Sequence, residues 1–595
     1  MSTQRKRPLN EPSQRLQPTA TPTQLRRHDD LIILHKNARS LCSDDHIDEL
    51  LTELQHTTWD IIAINETWRT HRRELWTTKD EHHLFAGSGY DTATRGVAFL
   101  VHKSLASNVY NFNAINERIA YLDIKVRTWK FRIVTAYFPH SGYSDACVQN
   151  VYDTLSTITE EARAQHLHIV ITGDFNAQVG KRNDDDNTTT LGPFALEPSN
   201  SRGDWLTSWA TSQHLVITNT YFDKPPSDIA TYYSPTQKPR QIDYILTNKT
   251  LWKRVRDAHS TKCPDLGSDH RAVRLRLDLH DIHPKKSQRQ AASTRQQTQH
   301  WPPADYNDFR STIEREFDRK SPTNDLNDRC ATITTALNNA AQQHASNPQI
   351  TSHARTPQHD KLLQLIKDRQ QLPHNSPGRK TASLAIRKLL QHIRRHQREE
   401  KIQQVILNRR GLRHIADIKR NHARILIPSM TTREGTTTTD RQSIADVFAT
   451  FYEDLYKCRS CEDTTTDVIN PSRDQRQDIR PFSLEEVSIA INQLRNGRCK
   501  DTTGLIAEML KAGGPTLHSQ LQRLFNDVIS PDATPPTQWK QTTISVIHKS
   551  GDPQLPSNYR PIAIIPLLYK LFARLLYNRL APLLDAHQTP DQAGF

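Results

Sequence analysis

Eight apolar runs of strand length punctuate residues 31–279, and they constrain the chain more than any other feature. They are LIIL (31–34), DIIAI (60–64), GVAFLV (96–101), YLDIKV (121–126), FRIVTAYF (131–138), HIVIT (168–172), IDYILT (242–247) and RAVRLRLDL (271–279), the last with clean alternation. Polar turns separate them, and helical patterns fall between some, notably HIDELLTELQ (46–55) and CVQNVYDTLSTITEEARAQ (147–165). Strands and helices mixed in this way predict one large α/β domain over residues 29–280. With 595 residues the chain exceeds one ordinary core and has room for further domains.

The flanking regions differ in texture. Residues 1–28 are polar, Pro-rich and basic without the apolar centre of a signal peptide, and read as a disordered tail carrying a weak nuclear-type RKR at 5–7. Residues 281–305 are polar and end in Pro-Pro, which predicts a linker. Residues 306–425 read as a basic helical connector, with 17 Lys/Arg against 5 Asp/Glu between Asp360 and Arg424 in a chain of net charge +14. That density suits either a solvated helical face or a phosphate-binding surface, DNA or RNA being the expected anionic partner. Seven dispersed Cys, with a lone C-x-x-C at Cys458 and Cys461, fit a reducing compartment better than a disulfide framework. No apolar run approaches the roughly 20 residues needed to span a bilayer, so no membrane association is expected and an intracellular, nuclear location is.

Five short stretches at the ends of predicted strands carry the chemistry: HKNARSL (35–41), INETW (64–68), AYFPH (136–140), TGDFNAQVG (172–180) and the late pair IDYIL (242–246) with GSDHRAV (267–273). Singly, each reads as a strand cap or a surface group. Together they supply what phosphodiester hydrolysis requires. A hard cation such as Mg²⁺ needs one or two carboxylates, and Glu66 suits it. An oriented, deprotonated water could be provided by Asp174 with Asn176 beside it. Charge developing on the phosphate needs donors, for which His270, oriented by Asp243 or Asp269, Tyr137 and Asn37 are candidates.

The order N…E…Y…GDFN…D…SDH resembles the endonuclease/exonuclease/phosphatase superfamily, whose relatives include deoxyribonuclease-I-like and apurinic/apyrimidinic endonucleases. LGPFALEPSNSRGDWLTSWATSQHLVITNTYF followed by TYYSPTQKPRQIDYIL is similar to the endonucleases of non-LTR (LINE-type) retrotransposons. The resemblance implies a four-layered α/β sandwich, two packed β-sheets flanked by helices, that nicks DNA with Mg²⁺, or Mn²⁺ in its place, and no small-molecule cofactor. It makes Glu66 the principal metal ligand, with Asp269 a second metal candidate. Asp174 becomes the water-activating residue with Asn176 as its neighbour, and His270 paired with Asp243 contacts the scissile phosphate, Asn37 and Tyr137 completing the pocket. One departure stands out: many repair relatives carry an acid two residues after the Asn, where this chain has Arg39. The acidic stretch KRNDDDNTTT (181–190) is also unusual for a DNA-facing loop.

The C-terminal region extends the resemblance. Residues 481–515 resemble the opening of a reverse transcriptase. Residues 539–595 are similar to the fingers of LINE-type polymerases, which places Lys549 and Arg560 toward the triphosphate of an incoming nucleotide. No Asp-Asp pair follows residue 186, so the palm is expected to be missing from 426–595 and the polymerase inactive. Two alternatives stay open: a phosphodiesterase of the same fold acting on another phosphate ester (phosphoinositide, sphingomyelin or RNA), and a catalytically inactive nucleic-acid-binding remnant.

Overall fold

The computed structural model describes residues 30–55, 57–69, 73–78, 80–87, 95–182, 189–280, 303, 305–319, 323–344, 357–407, 424–425, 427, 429–457, 479–498, 500–531 and 533–585. The tail 1–28, residues 183–188 of the acidic stretch, nearly all of the linker and the Cys458–Cys461 pair lie outside the described residues.

Two β-sheets dominate the first half. One contains β1 (Asp30–Asn37), β2 (Ile61–Asn65), β3 (Arg73–Thr77), β4 (His83–Gly87) and β5 (Val97–Val101). The other contains β6 (Val109–Ala114), β7 (Ile119–Val126), β8 (Trp129–Tyr137), β9 (His168–Asp174) and β10 (Leu215–Ile217). After a small hairpin, β11 (Tyr232–Tyr233) with β12 (Pro239–Arg240), β13 (Asp243–Asn248) joins the second sheet and β14 (Val255–Thr261) and β15 (Ala272–Asp278) join the first. The strand orders are β14-β15-β1-β2-β5-β4-β3, with the two-residue strand Arg424–Ile425 added beside β3, and β10-β13-β9-β8-β7-β6.

Side chains alternate across each strand, and both faces of the central strands are buried, which is why these strands read as nearly continuous apolar runs. Leu31, Ile33, Ile61, Ala63, Phe99, Phe131, Ile133, Val170 and Ile245 meet between the sheets. The alternate positions Leu34, Ile62, Ile64 and Leu100 pack outward against Ile47, Leu50 and Leu54 of helix α1 (Asp44–Leu54). On the other side Val134, Ile169, Ile171 and Leu246 pack against α2 (Asp145–Ala164) and α3 (Ser201–Ser212), through Val151, Leu155, Leu206 and Trp209. Asn200 caps α3, its side chain accepting from the Gly203 N–H at 2.9 Å. The result is the four-layered α/β sandwich, helix–sheet–sheet–helix. Two four-residue helices, α4 (Pro226–Ile229) and α5 (Lys249–Trp252), lie in its later loops.

The stretch 306–425 divides between two cores. Helices α6 (Tyr306–Asp318) and α7 (Leu326–Gln343) join the C-terminal helices Leu484–Gln493, Ala507–Ala512, Gly514–Val528 and Leu567–Asp585 around Phe309, Leu337, Val487, Leu517, Phe525 and Leu571. Helices α8 (Pro357–Gln371) and α9 (Pro377–Leu407) instead form a hairpin closed by Leu362, Ile366, Ile386 and Leu390, and it leans on α1 of the sandwich. Among the described residues no helix is long and apolar enough to cross a membrane.

Candidate active site

The inward rows of the central strands change character at one end of the sandwich. On β1 the row runs Leu31, Ile33, His35, Asn37; on β2, Ile61, Ala63, Asn65; on β9, Val170, Thr172, Asp174. Because β1 and β2 are parallel, as are β8 and β9, their C-terminal ends lie together. Register completes the convergence: Tyr137 on β8 pairs with Asp174 on β9, which pairs with Asp243 at the start of antiparallel β13. Three functional side chains therefore sit abreast on one face of three adjacent strands. Glu66 and Asn176 follow β2 and β9 with φ of 53° and 49°. This left-handed conformation, uncommon outside glycine, turns the chain sharply at the pocket's edge.

Asn37 lies at the centre. Its amide donates to Glu66 Oε1 at 2.9 Å and to Asp174 Oδ2 at 3.0 Å, bridging the two sheets. Asn176 donates its backbone N–H to Asp174 Oδ1 (3.0 Å) and its side-chain amide to the Phe138 carbonyl (2.9 Å). His270 Nδ1 pairs with Asp243 Oδ2 at 2.9 Å, while its Nε2 lies 3.8 Å from Asp174 Oδ2. Tyr232 packs on the His270 ring, 4.9 Å between centroids. All six of Asn37, Glu66, Asp174, Asn176, Asp243 and His270 thus meet in one pocket, with Tyr137 at its side, near Glu66 and Asp174. Asp269 stands apart: its carboxylate is taken by the Arg39 guanidinium, while its Oδ1 is buried without a hydrogen-bond partner. Lys549 and Arg560 belong elsewhere. Both are exposed on a separate two-stranded hairpin, Thr543–His548 with Tyr559–Ile564.

The structure adds supports that the sequence reading missed. His35, fully buried, contacts the second oxygen of Asp243 through Nε2 at 3.2 Å. Ser268 Oγ donates to the Asn37 carbonyl (2.8 Å) and accepts from the His270 N–H (3.1 Å). Lys36 donates to the His270 carbonyl, and Trp68 Nε1 to Glu66 Oε2 at 3.3 Å. One signal for His35 was present: it sits two residues from Asn37, and so on the same face of the strand.

Electrostatics assign different states to these groups. Burial, and then the neighbouring Asp243 carboxylate, push Asp174 up to about 7. Burial opposes charge on His270, but Asp243 and Asp174 outweigh it and raise its pKa to about 9. Burial likewise opposes charge on Asp243, yet His270 and His35 more than compensate and hold it well below the usual carboxylate range. Burial, then Glu66 and Asp174, push the Tyr137 hydroxyl up. At neutral pH the pocket therefore holds an imidazolium–carboxylate pair, a neutral phenol and a carboxylate poised to accept a proton.

The donor set fits a hard cation. Asp174, Asp243 and His270 offer ligand atoms all within 4.8 Å of one another, the one such group of three among the described residues. Asp243 is held between two histidines, one of them protonated, whereas Asp174 and, across Asn37, Glu66 accept only from neutral N–H groups, so these two are the carboxylates suited to a metal. Oxygen donors of this kind suit Mg²⁺.

Residues 29–270 match the model of the Endonuclease/Exonuclease/phosphatase family. It is this part of the chain, less than half of its length, that resembles that family. Among curated proteins, Craniofacial development protein 2 of Bos taurus is 28% identical over 246 residues, 41% of this chain and 40% of that protein. The probable RNA-directed DNA polymerase from transposon X-element of Drosophila melanogaster is 32% identical over 134 residues, 22% of this chain and 15% of that protein. The matched region therefore spans less than half the length of either relative. Among solved structures, the endonuclease domain of TRAS1, a telomere-specific non-LTR retrotransposon, aligns at 16% identity over 42% of this chain and all of that one, with a TM-score of 0.31. Curated relatives with transposon names and a family nuclease domain agree with the two resemblances seen in the sequence.

Proposed function

We propose that this chain is a Mg²⁺-dependent phosphodiesterase that nicks DNA, the endonuclease of a non-LTR retrotransposon joined to a reverse-transcriptase-like region. The observation that carries the reading is the Asn37 bridge, which gathers Glu66 from one sheet and Asp174 from the other beside the His270–Asp243 pair. In this reading Glu66 is the principal ligand of Mg²⁺, with Asp174 next to it and Asp269 kept back by Arg39. Bound there, the ion would neutralise phosphate oxygens and the leaving oxyanion.

The remaining work belongs to side chains. Asp174, half-ionised near pH 7, takes a proton from the attacking water, and Asn176 fixes the carboxylate's orientation. His270, held protonated by Asp243, donates through Nε2 to the phosphate as its charge grows, with the Tyr137 hydroxyl and the Asn37 amide as further donors. Lys549 and Arg560 contact nucleic acid or nucleotide in the second region, and a nuclear location follows from the substrate. The test is nicking of supercoiled plasmid by the purified full chain. Open circles that form with Mg²⁺ and not with chelator support the reading; no nicking under either condition favours an inactive binding protein.

A further inference from the structure

The helical hairpin α8–α9 is bound to the sandwich by an unusual device. Arg369, fully buried, donates from Nη1 to Glu49 Oε1 and from Nη2 to Glu53 Oε1, both at 2.5 Å, and from Nε to Asp265 Oδ2 at 2.9 Å. Arg379, almost fully buried, pairs with the other oxygen of Asp265 and reaches the Ser268 carbonyl at 3.4 Å. Three buried carboxylates of the nuclease domain thus find their guanidinium partners on helices beyond residue 350. Within the domain itself the buried cation facing Glu53 and Asp265 is Lys36. Stripping the hairpin away would leave several buried charges uncompensated, a costly state.

What the two arginines hold is the segment 265–269, directly before His270. Glu53 accepts the N–H groups of Asp265 and Leu266, and Ser268 carries the segment's contacts to Asn37 and His270. Gly267, at φ 68°, lies close against α9: a Cβ there would meet Ser383 Oγ at 2.6 Å. At the hairpin's turn, His374 stacks on Tyr233 (4.4 Å, 2° between planes) and Asn375 donates to the Tyr233 carbonyl at 3.0 Å. Tyr233 in turn donates its N–H to the Asp269 carbonyl, 3.0 Å away. Two routes from the hairpin therefore converge on Asp269 and His270.

We infer that Arg369 and Arg379 are positioning residues of the nuclease, and that its working unit includes the hairpin 357–407. The inference rests on the proposed nuclease activity. It is tested on the full chain with Arg379→Gln and Arg379→Lys, measuring plasmid nicking at saturating Mg²⁺ and hydrogen exchange of residues 263–271, with residues 168–174 as the control. Misplacing a reacting group by a fraction of an ångström should lower kcat about tenfold in Arg379→Gln while KM stays within about twofold. Exchange at 263–271 should quicken without change at 168–174, and Arg379→Lys should recover most of the rate. Wild-type kcat in Arg379→Gln, with or without faster exchange, overturns the inference while the nuclease reading stands. No nicking by the unaltered protein takes both down. Should Arg379→Gln fail to fold, Arg369→Lys decides in its place, since it keeps the charge but loses the fork that spans Glu49, Glu53 and Asp265: a kcat lowered several-fold at an unchanged melting temperature supports the inference, and an unchanged kcat overturns it.

Discussion

The sandwich and the C-terminal helical region both bury large apolar side chains completely, Phe99 and Phe131 in one, Phe309 and Phe525 in the other. They differ in what their cores run into. In the sandwich the apolar rows end in polar residues that hydrogen-bond one another across two sheets, so one rigid body both folds the chain and places the chemistry. In the C-terminal region the core is built between helices, while Ile544, Ile547 and Ile562 on its hairpin and Leu580, Leu583 and Leu584 on its last helix stay exposed. Lys549 and Arg560 stand on that exposed hairpin. Pre-organised donors and carboxylates need fixed supports, and only the first region supplies them on every side.

The largest expected effect tests whether the chemistry belongs to the sandwich alone. Glu66→Ala should lower nicking by at least about 10³-fold, since loss of the metal's charge stabilisation removes several kcal/mol from the barrier. The C-terminal region should melt as in the parent protein, and wild-type nicking would break the contrast. Next come His270→Ala and Asp243→Asn, each expected to cost about 10²-fold, with the double variant little worse than His270→Ala because the pair acts as one unit. Multiplicative losses would separate Asp243 from His270.

A smaller, graded effect lies in the pH dependence. Asp174 must be ionised to accept a proton, so activity should rise with pH through about 7; His270 must stay protonated to donate, so activity should fall above about 9. A bell-shaped profile of kcat/KM checks this, and His270→Ala should flatten its alkaline limb. The smallest effect on nicking comes from the second region. Phe525→Ala should destabilise the helical body by about 3–5 kcal/mol. Even so, it should leave nicking within about twofold, as should Lys549→Ala and Arg560→Ala. A nicking loss as large as that of His270→Ala would mean that the two regions are one cooperative unit.

The pocket was legible because strands buried on both faces announce themselves as apolar runs, and polar residues at the ends of such runs are few. Asn37, Glu66, Tyr137, Asp174 and His270 were all reachable in this way, as were helices near 46–55 and 147–165. The edge strands were harder. β3, RELWT, and β6, VYNFNA, mix polar and apolar residues and lack the signature of a doubly buried strand. Least legible was the basic hairpin, because an arginine destined for a buried carboxylate and one destined for water occupy the same helical sequence pattern. Arg369, Arg379 and Arg394 turn to Glu49, Glu53, Asp265, Asp45 and Asp48, whereas Arg395 and Arg398 face solvent. The phosphate-binding capacity inferred from charge density is smaller by those three residues.

The position of β15 between β14 and β1 carries a consequence for how the protein is made. The sandwich's first strand to leave the ribosome is completed along that edge by a strand synthesised some 240 residues later. Until residue 278 has emerged, β1 has one open edge and His270 has no pocket to enter. The arginines that steady the preceding segment arrive about a hundred residues later still. Nascent fragments therefore carry an unfinished pocket, and under the proposed function nucleic acid would be cut only after the sandwich and its hairpin have both cleared the ribosome.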